Sequence, residues 1–314
     1  MQMKNVGQHW RPSATLETLK ARAELFSSVR AFFVARKVLE VDTPILSAHA
    51  TVDRHIESYC TGDGWLQTSP EFAMKRLLCA GSGPIYQICH VFRQEESGRH
   101  HNSEFTMLEW YQPGYDHHRL MVEVEELLHA IGVGKEHFKR LTYRDAFVRY
   151  AGLDPFTASI DQLRNATRFD SDAGAQALER DFWLDLIMSH KVGPQLGLES
   201  PVFLHDFPAS QAALSRINGD IAERFELFWQ GIELANGFHE LADAQEQRRR
   251  FEADQAWRKA QRHIVPPYDQ NLISALENGL PTCAGVALGL DRLVMLKQGL
   301  PSVSTAMSFA GDRA

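Results

Sequence analysis

Cysteine and long apolar runs are both scarce in this sequence. The 314 residues include 4 cysteines, at positions 60, 79, 89 and 283, and no two of them form a CxxC pair. This spacing excludes a readable zinc ribbon or thioredoxin-type site, and we expect the thiols to be free and buried. No run of about 18 apolar residues occurs, and the first fifteen residues lack the apolar core of a signal peptide. We therefore expect a cytoplasmic protein with no membrane segment.

Positive charge is not in excess either. Lys and Arg number 33 against 40 Asp and Glu, a formal net charge of -7. This balance argues against a protein that holds nucleic acid mainly through an extended basic surface. Hydrophobic residues make up 44% of the chain, enough for a sizeable core, so a disordered or fibrous chain is excluded. The glycine-rich dinucleotide-binding motif and the P-loop motif are both missing. Any nucleotide-binding site must therefore be built from other residues.

The hydrophobic pattern predicts helices mixed with hairpin-connected strands. Apolar residues at helical spacing predict a long helix over 13–37, followed by a strand that Pro44 marks as an edge or interface strand. Further helices are predicted over 71–81, 116–132, within 142–197, over 243–263 and over 271–277. Strands are predicted over 85–93, 104–111, 202–207, 225–241 (with turns at 231 and 236–237) and 285–290. The expected class is α+β, an antiparallel β-sheet flanked by helices, with residues 1–314 as a single domain.

One polar group surrounds the loop of the predicted hairpin. Arg93 ends the first strand, a basic loop follows over 99–102, and Phe105 lies on the returning strand. An arginine and an aromatic ring placed in this way offer a phosphate clamp and a flat surface for a base. The alternative is a salt-bridged hairpin with an aromatic core face, because charge runs are usually solvated.

A second group consists of three glutamates spaced seven residues apart, Glu226, Glu233 and Glu240. Turn signals at Gly231 and at 236–237 interrupt any helix, so the carboxylates are predicted on neighbouring strands, where they can converge. Two carboxylates facing a triphosphate suit Mg²⁺. The alternative is a helix on which the three glutamates form one solvent-exposed stripe.

A third group is GVALGLDR, from Gly285 to Arg292. Small residues let a ligand approach the strand backbone, and Arg292 comes at the start of a helix, where anions are favoured. Plain core packing of a buried strand is the alternative.

Taken in order, these groups resemble the three motifs of class II aminoacyl-tRNA synthetases. The helix that ends before Asp42-Thr43-Pro44 is similar to motif 1, the segment from Phe92 to Tyr111 to motif 2, and the segment from Gly289 to Arg292 to motif 3. The segment RFELFWQGIELANGFHEL, residues 224–241, resembles the corresponding segment of lysyl-tRNA synthetases. The resemblance covers essentially the whole chain. It implies the class II catalytic fold, ATP as co-substrate and a homodimer formed through motif 1.

One difference from lysyl-tRNA synthetases indicates a more specific family. Lysyl-tRNA synthetases carry an N-terminal anticodon-binding OB-fold, whereas twelve residues precede Ser13 here. A catalytic domain of this kind with EFTMLEWY and GIELANGFHEL resembles the elongation factor P (R)-β-lysine ligases. That family implies ATP-dependent activation of (R)-β-lysine as an aminoacyl-adenylate. The lysyl group then passes to the ε-amine of one lysine on elongation factor P.

Three alternatives stand beside this interpretation. A minimal lysyl-tRNA synthetase has the same chemistry with tRNA as acceptor, and the acidic net charge disfavours tRNA binding. A non-catalytic regulatory paralogue is expected to lose the arginines or the metal carboxylates, yet Arg93, Arg292, Glu226 and Glu233 are all present. An aspartyl- or asparagine-forming relative is disfavoured because the predicted side-chain pocket is acidic.

The resemblance also implies residue roles. Arg93 and Arg292 are the catalytic residues, holding the α-phosphate with the substrate carboxylate and the γ-phosphate side respectively. Phe105 is expected to stack on adenine. Glu226 and Glu233 are expected to bind Mg²⁺. The ATP-binding residues implied are Arg93, Gln94, Glu95, Asn102, Phe105, Glu233, Leu234, Gly289 and Arg292.

The amino acid is expected to lie among carboxylates. Glu240 and Tyr111 match positions that meet the ε-ammonium group, and Glu71 matches one that meets the other amino group. Ala287 stands where lysyl-tRNA synthetases usually carry glycine, so we expect its methyl group to reshape the pocket around the shifted amino group. The substrate-binding residues implied are Ser69, Pro70, Glu71, Glu109, Tyr111, Glu240 and Ala287.

Overall fold

A computed structural model describes residues 10–94, 96–167 and 179–314 of the chain. Glu95, one of the predicted ATP contacts, lies outside the described residues. The helices are α1 Leu16–Ala35, α2 Glu71–Cys79, α3 His117–Ala130, α4 Tyr143–Ala151, α5 Ile160–Thr167, α6 Arg180–Ile187, α7 Ala244–Ala260, α8 Gln270–Asn278 and α9 Leu290–Lys297. The strands are β1 Leu39–Glu40, β2 Leu46–Ser47, β3 Cys60–Thr61, β4 Gly64–Leu66, β5 Ile85–Phe92, β6 Glu104–Pro113, β7 Lys139–Thr142, β8 Val202–Pro208, β9 Ile217–Asn218, β10 Ile221–Trp229, β11 Ile232–His239 and β12 Cys283–Gly289.

The described residues divide into two compact units. The first contains the residues up to Pro113, residues 242–281 and the residues from Ala287 onward. The second contains residues 114–241 and 282–286. None of the helices in the described part of the chain combines the length and the apolar character that crossing a membrane requires.

The first unit is built around α1 and the β5–β6 hairpin. Thr15 caps α1 by accepting a hydrogen bond from the Thr18 N–H, and α1 confirms the helix predicted over 13–37. Phe33 on the buried face of α1 stacks on Tyr86 of β5, with ring centroids 4.4 Å apart. β5 pairs antiparallel with β6 over the full length of β5, and β1 adds parallel to β5 at the end of the strand order.

The second unit carries a sheet segment of its own. β10 pairs antiparallel with β8 and β11, and β7 runs parallel to β8. One face of these strands packs against α4 and α6 through large apolar side chains. Members of this core include Tyr143, Phe147, Trp183, Leu184, Ile187, Leu204, Phe207 and Phe228. The parallel pairs make each sheet segment mixed, a detail that the predicted antiparallel pattern did not contain.

Two sequence predictions were wrong in detail. The dipeptide Asn236-Gly237 lies inside β11, not in a turn, because Gly237 lies opposite Phe225 of β10 and leaves room for its ring. The turn between β10 and β11 is made by Gln230 and Gly231, both with positive φ, as a tight hairpin requires. The cysteines are free, as expected, but Cys60 is exposed and only Cys283 is fully buried.

Candidate active site

Glu109 is the centre of a polar cluster in the first unit. It lies on β6 and is 2% exposed. Ser69 donates a hydrogen bond from its Oγ to Glu109 Oε2 at 2.7 Å, and the Tyr111 hydroxyl donates to Oε1 at 2.6 Å. Burial and the charge of Glu71 raise the pKa of Glu109 to about 7, against the lowering effect of these two hydrogen bonds and of Lys75. The structure thus brings four of the predicted substrate residues together.

Glu71 enters this cluster from the first turn of α2. Its N–H donates to Ser69 Oγ at 3.0 Å, and Pro70, between these two residues, is the N-cap residue of α2. The Lys75 ammonium group donates to Glu71 Oε1 at 2.7 Å, and Lys75 is 1% exposed. Two carboxyl groups face one ammonium group here. The cluster therefore suits a ligand that brings a further positive charge.

Arg93 and Phe105 meet at the other end of the hairpin. Arg93 directly follows β5, and its N–H donates to the Ser103 carbonyl oxygen at 2.8 Å. Its guanidinium carbon lies 5.2 Å from the centroid of the Phe105 ring, and its Nε donates to the Thr68 carbonyl oxygen at 3.3 Å. Both side chains are half-buried. A fixed guanidinium group beside an aromatic face is an arrangement that can receive a phosphate and a base.

Gln94 and Asn102 hold the loop between β5 and β6. Gln94 Nε2 donates to the Ser58 carbonyl oxygen at 2.8 Å. Asn102 Nδ2 donates to the Glu104 carbonyl oxygen at 2.6 Å, and its Oδ1 accepts from the Gly311 N–H at 3.1 Å. Their amide groups thus bind protein backbone, and their predicted contacts with ATP stay predictions.

Arg292 projects from the start of α9, three residues after Gly289. Its Nε donates to the His100 carbonyl oxygen at 3.0 Å, in the loop of the hairpin. The preceding residue, Asp291, is 1% exposed, accepts from the Thr106 N–H at 2.6 Å and pairs with Arg22. Asp291 therefore fixes the first turn of α9, and with it the origin of the Arg292 side chain.

Ala287 and Gly289 share one face of β12. They lie two residues apart on the strand, so both point to the same side, and both are half-buried. The residues between and before them, Leu288 and Val286, are buried. The face with small residues is thus the accessible one.

Glu226 and Glu233 lie on neighbouring strands of the second unit, as predicted. Glu226 of β10 pairs in register with Asn236, and Glu233 of β11 pairs with Phe228. Burial, and next the charge of Glu233, raise the pKa of Glu226 to about 8. Arg224 opposes this effect, since its guanidinium group forms an ion pair with Glu226 and donates to Asn236 Oδ1 at 3.2 Å.

Glu240 and Leu234 are also buried in the second unit. Glu240 follows β11, is 2% exposed, and its N–H donates to the Cys283 carbonyl oxygen at 3.0 Å. It also forms an isolated β-bridge with Ser215. Leu234 lies at the irregularity between β10 and β11, where the register shifts after Leu227.

Comparison with known proteins identifies the family of this chain. Residues 1–313 match the family model described as tRNA synthetases class II (D, K and N). The chain belongs to this class II synthetase family. The predicted fold class is thereby confirmed, and membership of an ATP-dependent synthetase family implies the use of ATP.

Two relatives of this class II synthetase share its length. The chain is 48% identical to a protein of Pseudoalteromonas translucida (strain TAC 125) named elongation factor P–(R)-β-lysine ligase, over 97% of this chain and 98% of the relative. It is likewise 48% identical, with the same coverage, to a protein of that name from Edwardsiella ictaluri (strain 93-146).

For three further residues of this synthetase, no role at the site was predicted from the sequence. Lys75 neutralises Glu71, Arg224 pairs with Glu226, and Asp291 anchors the start of α9. The contact between Lys75 and Glu71 could have been predicted, since Lys75 is four residues after Glu71 on a predicted helix. Arg224 and Asp291 stand within the quoted motifs, but nothing in the sequence distinguishes a charge that positions a neighbour from one that faces solvent.

Proposed function

We propose that this protein activates (R)-β-lysine with ATP as an aminoacyl-adenylate and transfers the lysyl group to the ε-amino group of a lysine on elongation factor P. The observation that carries the proposal is the 48% identity to two ligases of that name, each aligned over 98% of its own length. The acidic cluster around Glu109 supports it, because the substrate carries two ammonium groups.

Recognition of the amino acid rests on carboxylates. In this proposal Glu71 and Glu109 receive one amino group of the substrate, while Glu240 and Tyr111 bind the ε-ammonium group. A hydrogen bond to a charged partner contributes about 1.5–3 kcal/mol. Glu71 and Glu109 outnumber the single Lys75 ammonium group, so a substrate side chain that carries a cation is preferred to a neutral one of equal length.

Activation of the amino acid needs charge stabilisation more than it needs a protein nucleophile. The substrate carboxylate oxygen attacks the α-phosphorus of ATP, and the bond to pyrophosphate breaks. Arg93 binds the α-phosphate and stabilises the charge that develops on it, Phe105 stacks on adenine, and Arg292 binds the γ-phosphate side. The acceptor amine then attacks the acyl carbon of the adenylate, a proton is lost from nitrogen, and AMP leaves.

Magnesium is part of the proposal, with Glu226 and Glu233 as its ligands. Their donor set fits, because both offer carboxylate oxygens on adjacent strands and the charge of Glu233 acts on Glu226. When bound, Mg²⁺ neutralises phosphate charge. Arg224 keeps the Glu226 carboxylate in position through its ion pair.

Four broader expectations belong to the same proposal. Residues 1–314 act as a single catalytic domain, the enzyme is a homodimer, it works in the cytoplasm, and tRNA is not its acceptor. The net charge of -7 supports the last point, since it is poorly suited to a polyanion.

Intact-mass analysis tests the function directly. The protein is incubated with ATP, Mg²⁺ and (R)-β-lysine, and unmodified elongation factor P and lysine tRNA are offered together. We expect elongation factor P to gain the mass of one lysyl unit, with the gain abolished by Arg292→Ala and retained by Arg149→Ala, which removes an exposed arginine of the second unit. Charged tRNA with an unmodified factor would identify a minimal tRNA synthetase. The absence of both adenylate and product would identify a non-catalytic paralogue.

A further inference from the structure

A group of histidines and carboxylates in the second unit has no part in the proposed reaction. His117 begins α3, Glu223 lies on β10 and His239 ends β11. One potential ligand atom from each of these three residues lies within 4.8 Å of the other two. We call these three residues the histidine cluster.

His117 is the residue that makes this cluster unusual. It is 5% exposed, yet neither ring nitrogen has a hydrogen-bond partner among the described residues. Its Nε2 makes an ion-pair contact with Asp206 Oδ1 at 3.5 Å, which is longer than a normal hydrogen bond. Buried polar groups are nearly always satisfied, so an imidazole of this kind calls for a further partner.

The other two members already lie together. His239 Nδ1 is 2.6 Å from Glu223 Oε2, and His239 is 8% exposed. Arg216 Nη1 lies 3.4 Å from His239 Nε2, and the Arg216 side chain is exposed. The guanidinium group can therefore move into solvent if another group binds at His239.

The backbone around the cluster is shaped by a bulge. The register between β10 and β8 shifts between Ala222 and Phe225, so Glu223 and Arg224 lie opposite Asp206. Asp206 itself has φ of 60°, a left-handed conformation that L-residues rarely adopt. Bulges of this kind redirect side chains at the edge of a site. Here the bulge gathers Glu223 and Asp206 around His117.

We propose that His117, Glu223 and His239 bind a divalent transition-metal ion of the zinc type. Two imidazoles and one carboxylate are ligands that Zn²⁺ favours, whereas Mg²⁺ prefers oxygen alone. Ligand atoms about 2.0–2.1 Å from Zn²⁺ in a tetrahedral site are roughly 3.3 Å apart. The three potential ligand atoms lie within 4.8 Å of one another, so small side-chain rotations can reach that spacing. The exposed His118, adjacent to His117, marks the solvent side from which an ion can enter.

Calorimetric titration of the full-length protein with Zn²⁺ tests this site. The protein is first treated with a chelator and then titrated in excess Mg²⁺. We expect one equivalent of Zn²⁺ to bind, and Co²⁺ in its place to give the visible absorption of a four-coordinate site. His117→Ala and Glu223→Gln should each weaken binding at least tenfold. Arg216→Ala should strengthen it about threefold or more, because a neighbouring positive charge is removed.

Two controls separate the site from other causes. His137→Ala removes an exposed histidine that pairs with Glu125 in the same unit, and should leave binding unchanged. Glu233→Gln, at the proposed magnesium site, should also retain the Zn²⁺ equivalent. Circular dichroism checks that each variant folds, and Glu223→Gln is isosteric, so it keeps the test valid if His117→Ala does not fold.

Three results would overturn the proposal. The first is wild-type affinity for Zn²⁺ in a folded Glu223→Gln variant. The second is loss of binding in His118→Ala but not in Glu223→Gln, which would assign the ion to His117, His118 and Asp206, the neighbouring set. The third is loss of the equivalent in Glu233→Gln.

Discussion

Glu109 combines complete burial with two short hydrogen bonds and a nearby like charge. Its pKa of about 7, against an ordinary value of 4.5, means that a large fraction of the free protein carries it protonated below neutral pH. A substrate ammonium group favours the ionised form. Binding of the amino acid is therefore linked to release of a proton from Glu109.

This linkage predicts that (R)-β-lysine binds more tightly as the pH rises. Only the ionised carboxylate attracts the ammonium group, so the dissociation constant should fall about tenfold from pH 6 to pH 8 and then level off. The ε-ammonium group of the substrate keeps its charge over this range, because the pKa of a lysine side chain is about 10.4. Calorimetry at several pH values measures the constant, and buffers of different ionisation enthalpy reveal the released proton.

Glu109→Gln is the matched control for this effect. It keeps the shape of the side chain and one acceptor oxygen, replaces the other oxygen with an NH2 donor, and removes the titration. The variant should bind the substrate at least tenfold more weakly at pH 8 and show little change between pH 6 and pH 8. An unchanged pH dependence in the variant would assign the linkage to another group.

Ala287 is the residue where we expect the choice between lysine isomers to be made. Its methyl group lies on the accessible face of β12, together with Gly289. Ala287→Gly should reduce the preference for β-lysine over α-lysine by about tenfold or more, since one methyl group in a pocket discriminates by roughly 1–3 kcal/mol. Adenylate formation with each isomer gives the ratio. Ala260→Gly, at an exposed helix end, serves as control, and an unchanged ratio in Ala287→Gly would remove this role.

At the scale of elements, the pairing of β10 with β11 depends on Gly237. A Cβ atom there would lie 2.4 Å from Phe225 Cζ and 3.0 Å from Val286 Cβ. Both neighbours are buried and have little room to move. Gly237→Ala should therefore destabilise the protein by about 1–3 kcal/mol.

Thermal unfolding measures this cost. Gly62→Ala is the control, because a Cβ atom at Gly62 meets nothing within 4 Å. Its melting temperature should stay close to that of the wild type, while that of Gly237→Ala falls by several degrees. Equal melting temperatures for the two variants would show that the strand pair adjusts to the added methyl group.

Much of the element order was predictable because local signals coincided with tertiary packing. Thr15, Asp116 and Thr142 cap the helices that follow them, and residues of these types before an apolar pattern are typical helix starts. The hairpin of β5 and β6 has the predicted bounds to within two residues. The turn predicted at Asn236-Gly237 was wrong because this dipeptide occurs both in turns and within strands. It is typical of tight turns, but here Gly237 provides space for a ring across the sheet.

The site was predictable only in part, and for a physical reason. Glu109 and Glu71 were named from the resemblance, and the structure brings them together through Ser69. Their electrostatics required coordinates, because burial and a partner such as Lys75 depend on the tertiary structure. The histidine cluster was not predicted at all, since His117 precedes Glu223 and His239 by about a hundred residues and no spacing rule joins them.

At the scale of the whole molecule, the exposed apolar residues of the first unit need an explanation. Five of the nine large exposed apolar residues described in this unit lie on α1 or on the short segment that follows it, the region similar to motif 1. These five are Leu16, Val34, Leu39, Ile45 and Leu46, each between 43% and 73% exposed. β1 also ends the strand order, and sheet edges with apolar side chains favour association.

We expect this surface to form a twofold dimer in solution. Stable interfaces bury about 1,200–2,000 Å² and exclude unpaired charges from their centre. Val34→Glu and Leu39→Glu should therefore convert a dimer into a monomer of 35.6 kDa. Sedimentation velocity measures the mass of each variant.

Val148→Glu is the control, because it places the same charge on an exposed apolar position of the second unit and should leave the dimer intact. A wild-type protein that sediments as a monomer at high concentration would contradict the prediction. A dimer that dissociates only in Val148→Glu would move the interface to α4.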